Sequence, residues 1–337
     1  MTASSHAAIL NRMDIKAVWM DGELVGHAEA TVPLGSLGLH YGLGFFEGIR
    51  CYDTAAGPAI FRLGDHLRRL FNSAAIYGVT LPYTVTELAQ ACKDVIRANE
   101  LANCYVRPIA FMGESRNGDP IGGDFRMGIL VTPQPPLVGA KDSRGATAKI
   151  SSFRRIASDA IPPAAKATGQ YLNSFLAQVE ARRCGAEHAI CLTDDGRVAD
   201  GWAHNIFAVR DGVLTTPPLS AGILPGITRD SVLTLAREAG YQVMEADMVR
   251  TDLYLADECM LTGTGAGIVP IISIDGRPIG DGVSCPVSTR LAGLLSSVAH
   301  GRTPDHAQWR ELVGLPQRSP SSGLCRPADD KRAMACR

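Results

Sequence analysis

An amine that no neighbour can pair is the first chemical opportunity in this sequence. Lys166 lies in Ile161-Pro-Pro-Ala-Ala-Lys-Ala-Thr-Gly169, while the other lysines, at 16, 93, 141, 149 and 331, stand in polar or flexible settings. Desolvation among alkyl groups lowers an ammonium pKa, which is what a lysine needs to act as a nucleophile or Schiff-base former near neutral pH. By its setting alone Lys166 also reads as a lysine at the mouth of a loop. A second opportunity is Leu224-Pro-Gly-Ile-Thr228, which opens a helix. Amides at a helix start lack intrahelical partners and can cradle a phosphate, with the Thr228 hydroxyl as a further donor. Most such starts are ordinary caps. A third is Leu261-Thr-Gly-Thr-Gly-Ala266, small residues after an apolar run that let a ligand approach the backbone. It does not complete a dinucleotide fingerprint, because the third glycine would fall at 268, which is isoleucine.

The elements that must position these residues are partly readable. Asp21-Gly22 between apolar runs predicts a hairpin, and Gly57-Pro-Ala-Ile-Phe-Arg-Leu63 a further strand. A helix follows, with Leu67, Leu70, Phe71 and Ala74 as its apolar stripe and Gly78 as its stop. Thr84-x-x-Glu87 is a capping box that opens a second helix running to about Asn99. Residues 103–112 alternate as a strand, which puts Tyr105, Arg107, Ile109 and Phe111 on one face. Residues 132–146 are rich in Pro, Gly, Lys and Ser and read as a connection between two units. The second unit opens with a strand near Ala148 and a helix from about Gln170 to Arg183. Two hairpins with Asp-Gly turns at 195–196 and 211–212 follow, then a helix from Gly226 and a strand ending at Gly263.

Composition bounds the function. At 337 residues, 46% apolar and 20% charged, the chain describes a two-unit globular protein rather than a disordered or fibrous one. A net charge of -1 supplies no electrostatic excess for nucleic acid or an anionic membrane. Nine cysteines, an odd number without a C-x-x-C pair or a His/Cys cluster, point to a reducing cytosol and to no metal site. The first residues lack a signal-peptide pattern, and no apolar run reaches the roughly 18 residues of a spanning helix. A cytoplasmic enzyme is the expectation. Beyond about Val313 too few apolar residues remain to pack, so residues 314–337 are expected to form a disordered tail.

Taken in order, LHYGLGFFEGIRCYD, FRLGDHLRRL, YVRP, IPPAAKATGQYLNS, ADGWAHNIF, LPGITRD and YLADECMLTGTGAGIVP resemble the branched-chain amino acid aminotransferases from about residue 15 to 313. These are class IV, or fold type IV, pyridoxal-phosphate enzymes. The resemblance implies a two-domain α/β (α+β) fold: a small N-terminal α+β sandwich over 1–133, a connection at 134–145, and a larger barrel-like domain with helices over 146–313. It implies a cofactor, pyridoxal 5′-phosphate, in the cleft between them, and ping-pong transamination between leucine, isoleucine or valine and 2-oxoglutarate. A homodimer at least is implied, since the family's pocket is completed by a neighbouring subunit.

Residue by residue, Lys166 matches the lysine that forms the Schiff base and shuttles the proton. Arg69 matches the arginine on the cofactor phosphate, with Thr228, the Ile227 backbone and Thr264 completing that cradle. Tyr171 matches the partner of the ring hydroxyl, and Leu224 the residue on the ring face. Tyr41, Phe46 and Tyr105 match aromatic walls of the substrate pocket. Gly265 and Ala266 match the turn that meets the α-carboxylate, and Arg107 the arginine that holds the distal carboxylate of glutamate. Two departures stand out. Asp200 occupies the place of the family's glutamate on the pyridine nitrogen, and His204 that of a second glutamate. The tyrosine expected in the connection has only Leu137 as its nearest match. These departures favour, as an alternative, a specialised class IV transaminase for another amino acid or amine. Retention of Tyr105-x-Arg107 argues against D-amino acid transaminase and aminodeoxychorismate lyase, and Lys166 against a non-catalytic relative.

Overall fold

Two mixed layers of sheet and helix build the chain, seen in a computed structural model that describes residues 15–115, 123–134 and 145–314. Leu137 and all but the edges of the expected connection and tail lie outside the described residues.

The first sheet has eight strands. Its centre is Cys104–Met112, paired along its length with Phe125–Pro133 and on its other edge with Gly44–Phe46 and Ile49–Tyr52, all antiparallel. The alternation predicted for Cys104–Met112 is present: Tyr105, Arg107, Ile109 and Phe111 form the half-buried face, and the residues between them are buried. The hairpin Ala17–Met20 to Glu23–Gly26 turns at Asp21 (φ 49°) and Gly22 (φ 106°), the left-handed pair a tight two-residue turn requires. Helices Leu63–Ile76 and Val85–Ala98 cover this sheet. Thr84 and Glu87 form the predicted reciprocal cap, and Leu67, Leu70 and Ala74 enter the core with Ile49, Ile60 and Val106.

The second sheet has nine strands and mixes parallel with antiparallel pairing. Strands His188–Leu192, Ala146–Ile150 and Gly267–Ile274 lie side by side and parallel, and Glu258–Gly263 and Asn205–Arg210 continue the sheet antiparallel. Helices Ile227–Glu238 and Pro286–Ala299 pack on it through Val232, Leu235, Leu291 and Leu295. The chain then returns to the first sheet, where Arg310–Leu312 pairs antiparallel with Ala59–Phe61.

Candidate active site

Lys166 belongs to no helix or strand, yet its backbone is fixed on both sides. Its amide donates to Ser73 Oγ at 2.8 Å, and its carbonyl accepts from the Phe46 amide at 3.1 Å. The alanines that flank it are buried. Its Nζ donates to the Tyr171 hydroxyl at 2.7 Å and lies 4.9 Å from the Phe46 ring centre. Tyr171 is the first residue of the helix Tyr171–Arg183, so a helix start aims a phenol at the amine.

A cleft of about 430 Å³ opens around this amine. Arg69, Lys166, Tyr171, Asp200, Leu224, Ile227, Thr228 and Thr264, the eight residues expected to meet a cofactor, all line it. Ile227 and Thr228 begin the helix Ile227–Glu238, whose start has no side-chain cap, so its first amides are available to an anion. Thr228 Oγ1 and Thr264 Oγ1 stand 3.4 Å apart. Gly226 is required here, because a Cβ at that position would fall 1.9 Å from Asn205 Oδ1. Asn205 in turn donates to the Leu224 carbonyl at 3.0 Å, which holds the whole turn in place.

Arg69 is fastened from behind. Nε and Nη2 donate to the two oxygens of Glu47 at 2.7 and 2.8 Å, and Nη1 donates to the Pro225 carbonyl at 2.9 Å. Glu47 is fully buried and also bonds His66 Nδ1 at 2.7 Å. Burial alone would raise its pKa, but the charge of Arg69 and the contact with His66 override it and hold the carboxyl well below the usual range. Burial lowers the pKa of His66, against the pull of Glu47. Neither Glu47 nor His66 was marked by spacing; a lone carboxylate between Phe46 and Gly48 was the available signal.

Asp200 is almost fully buried on the strand Val198–Gly201. Oδ2 accepts from Arg155 Nη2 at 2.9 Å, and Arg155 also donates to Ser174 Oγ at 2.9 Å. Oδ1 is buried with no hydrogen-bond partner among the described residues. Burial pushes the carboxyl up to about 6, with Arg155, the Leu224 backbone and Lys166 restraining the rise. Arg155 is a site residue that no motif announced. His204 is held down to about 3 by burial, with His188 and Lys166 adding to the effect, so a neutral imidazole lines the cleft.

On the other side of Lys166, Phe46 and Tyr171 stand 4.9 Å apart between ring centres. The Arg107 guanidinium lies 4.7 Å from the Phe46 ring centre and donates to the Tyr105 hydroxyl at 3.2 Å. Tyr105 fits because residue 48 is glycine: a Cβ there would meet its hydroxyl at 1.7 Å. Gly265 and Ala266 are exposed, and Gly265 faces the Tyr105 ring edge and accepts from buried Arg50 at 3.5 Å through its carbonyl. Tyr41 is the one expected residue that stands apart. It ends the short helix Leu37–Tyr41, is 65% exposed, and lines a neighbouring groove with Phe45, Tyr77 and Ala167.

The arrangement can hold a dianion at one end and a hydrogen-bond donor against the buried Asp200 carboxylate at the other, with the Lys166 amine between them. Residues 44–274 match the family Amino-transferase class IV. The chain is 42% identical over 299 residues to the branched-chain-amino-acid aminotransferase of Escherichia coli (strain K12), a span covering 88% of this chain and 97% of that protein. Its fold superposes with a TM-score of 0.86 on a T.th. branched-chain amino acid aminotransferase solved with pyridoxamine 5′-phosphate, at 39% identity over 90% of this chain and 100% of that one. The same enzyme complexed with N-(5′-phosphopyridoxyl)-L-glutamate gives 0.84 at 38% identity, with 90% and 100% covered.

Proposed function

The chain belongs to the class IV aminotransferases, and on that footing we propose that it moves the amino group between a branched-chain L-amino acid and 2-oxoglutarate with pyridoxal 5′-phosphate, by a ping-pong mechanism. The observation that carries this is the convergence of the eight expected cofactor residues on one cleft around Lys166. The residues present fit the cofactor. Asp200 Oδ1 is a buried acceptor without a hydrogen-bond partner among the described residues, as a protonated ring nitrogen would require. The uncapped helix start at Ile227 and Thr228, with Arg69 and Thr264, supplies donors for a phosphate. Tyr171 would meet the ring hydroxyl and Leu224 a ring face.

When bound, the cofactor supplies an electron-withdrawing ring that takes up the electron pair left at the substrate α carbon. The chain does the rest. Lys166 Nζ, oriented by the Tyr171 hydroxyl, would accept the substrate's α proton and return it within the same pocket. Asp200, held by Arg155, keeps a negative charge in a buried place. Arg107, between Phe46 and Tyr105, can stack beside an apolar side chain or pair a carboxylate, which suits a pocket that takes leucine in one half-reaction and glutamate in the other.

We also infer a homodimer in the cytoplasm. Leu172 and Phe175 are 71% and 62% exposed on the Tyr171–Arg183 helix, and Tyr41 and Leu39 are exposed too, which supports a partner surface. All seven cysteines among the described residues are free, in keeping with a reducing compartment, and no described helix is long and apolar enough to cross a membrane. A division into two units at 134–145 is supported by sheet membership, with Arg310–Leu312 as the segment that crosses back. The shorter Asp200 and the neutral His204 favour a second reading, a class IV transaminase for another amino acid or amine. An amino-donor panel with 2-oxoglutarate as acceptor separates the two: the highest kcat/KM is expected with leucine, isoleucine or valine, and negligible rates with all three would overturn the proposed substrate class.

A further inference from the structure

Arg62 immediately precedes the helix that carries Arg69, and it adopts φ 54°. A left-handed conformation is disfavoured for a residue with a side chain, and persists where the surroundings over-determine it. Here they do. Its amide donates to the Trp309 carbonyl at 2.6 Å. Nε donates to Asp65 at 2.6 Å in the first turn of its own helix, and Nη1 donates to Asp230 at 2.5 Å and to Ser231 Oγ at 3.1 Å. Its guanidinium lies 4.9 Å from the Trp309 ring centre, and its side chain is only 11% exposed.

Asp230 and Ser231 belong to the helix whose first residues are Ile227 and Thr228, and Ser231 Oγ donates to the Ile227 carbonyl at 2.9 Å. The far end of that helix is held by the same stretch of chain. His306 Nε2 is 2.9 Å from Glu238 Oε2, and its ring stacks on Trp309 at 4.0 Å. Residues 306–309 therefore touch the last residue of the helix directly and its first turn through Arg62, just before the chain enters the first sheet at Arg310.

We propose that Trp309 and Arg62 form a positioning strap for the phosphate cradle, holding the Ile227–Glu238 helix start in register with Arg69 two turns along the neighbouring helix. Neither residue lines the cleft; both act through the elements that do. A cradle of backbone amides and one guanidinium binds a phosphate only while its two halves keep their spacing. The inference rests on the reading of the cleft as a cofactor site, and deepens it by making phosphate affinity depend on the segment that precedes the Arg310–Leu312 strand.

The test is a pair of dissociation constants, for pyridoxal 5′-phosphate and for pyridoxal, measured by cofactor absorbance on the full-length chain freed of cofactor. Trp309→Ala is expected to weaken the phosphorylated ligand about tenfold and leave pyridoxal within about twofold. Arg62→Lys keeps the charge but cannot bridge Asp65, Asp230 and Ser231 together, so it is expected to shift the ratio the same way, by about threefold. This second variant carries the test should Trp309→Ala fail to fold. Equal losses for both ligands would reduce Trp309 to a packing role and overturn the strap. A wild-type preference for the phosphorylated ligand that survives unchanged in the variants would also overturn it, while leaving the cofactor reading intact. No preference in the wild type would defeat the cradle itself.

Discussion

Arg155→Met removes the cation that bonds Asp200, and its effect can be worked from the structure. The guanidinium nitrogen is 2.9 Å from Asp200 Oδ2, which places the charge centres about 4 Å apart; with an effective dielectric near 20 the attraction is about 4 kcal/mol. Each pKa unit corresponds to about 1.4 kcal/mol, so the upper bound is a rise of about 3 units. Lys166 also restrains the carboxyl, and relaxation around the smaller side chain recovers some solvation, so about 2 units is the working value. Asp200 titrates at about 6 with Arg155 present and is expected at about 8 without it. The sign follows from burial: the charged form loses its partner, and the neutral acid gains. Carbon-13 NMR of aspartate carboxyls in the cofactor-free protein, with the Asp200 signal assigned by its loss in Asp200→Asn, measures this directly. In the holoenzyme the acidic limb of kcat/KM should move to higher pH with it. An Asp200 signal in Arg155→Met that titrates no higher than in the wild type would refute the claim that this contact holds the carboxylate charged.

Three further outcomes are expected. Lys166→Ala should fold and lose transamination, and borohydride reduction with peptide mapping of the wild type should label Lys166 alone. Arg107→Met should slow the half-reaction with glutamate or 2-oxoglutarate by about one to two decades in kcat/KM, the worth of a charge-assisted pair of roughly 1.5–3 kcal/mol, and spare that with leucine; stopped-flow measurement of each half-reaction separates a selective from an equal loss. Gly226→Ala forces a Cβ to within 1.9 Å of Asn205 Oδ1, so calorimetric unfolding of the cofactor-free protein should show a loss of about 1–3 kcal/mol, together with weaker cofactor binding.

What the sequence made legible was local. The Asp-Gly turns at 21–22 and 211–212, the Thr84 capping box and the strand parity of Cys104–Met112 depend on residues a few positions apart, and the structure has each of them. The strand Gly267–Ile274 escaped because it lies between neighbours on both sides and under the Pro286–Ala299 helix; its buried positions do not alternate, and Pro270 interrupts the run. That helix carried a usable signal, proline at its first position and Leu291, Leu295 and Val298 on one face. The return of Arg310–Leu312 to the first sheet pairs residues some 250 positions apart, which no periodicity records. The same division holds in the cleft. Lys166, Arg69 and Thr228 sit in motifs, whereas Arg155 and Glu47 matter only because folding places one beside Asp200 and the other behind Arg69.

Charge accounting shows why the shorter carboxylate is tolerable. Arg69 is answered by Glu47 and Arg155 by Asp200, each at hydrogen-bond distance, with both carboxylates buried. Arg107 and Lys166 meet only hydroxyls and aromatic faces among the described contacts. The surplus is therefore positive, which suits ligands that bring a phosphate and a carboxylate. A carboxylate at 204 would subtract from that surplus and, as a second buried anion near Asp200, would push the Asp200 carboxyl further toward its neutral form. With a neutral imidazole there instead, one aspartate fastened by one arginine is enough to keep a negative charge at the buried end of the cleft.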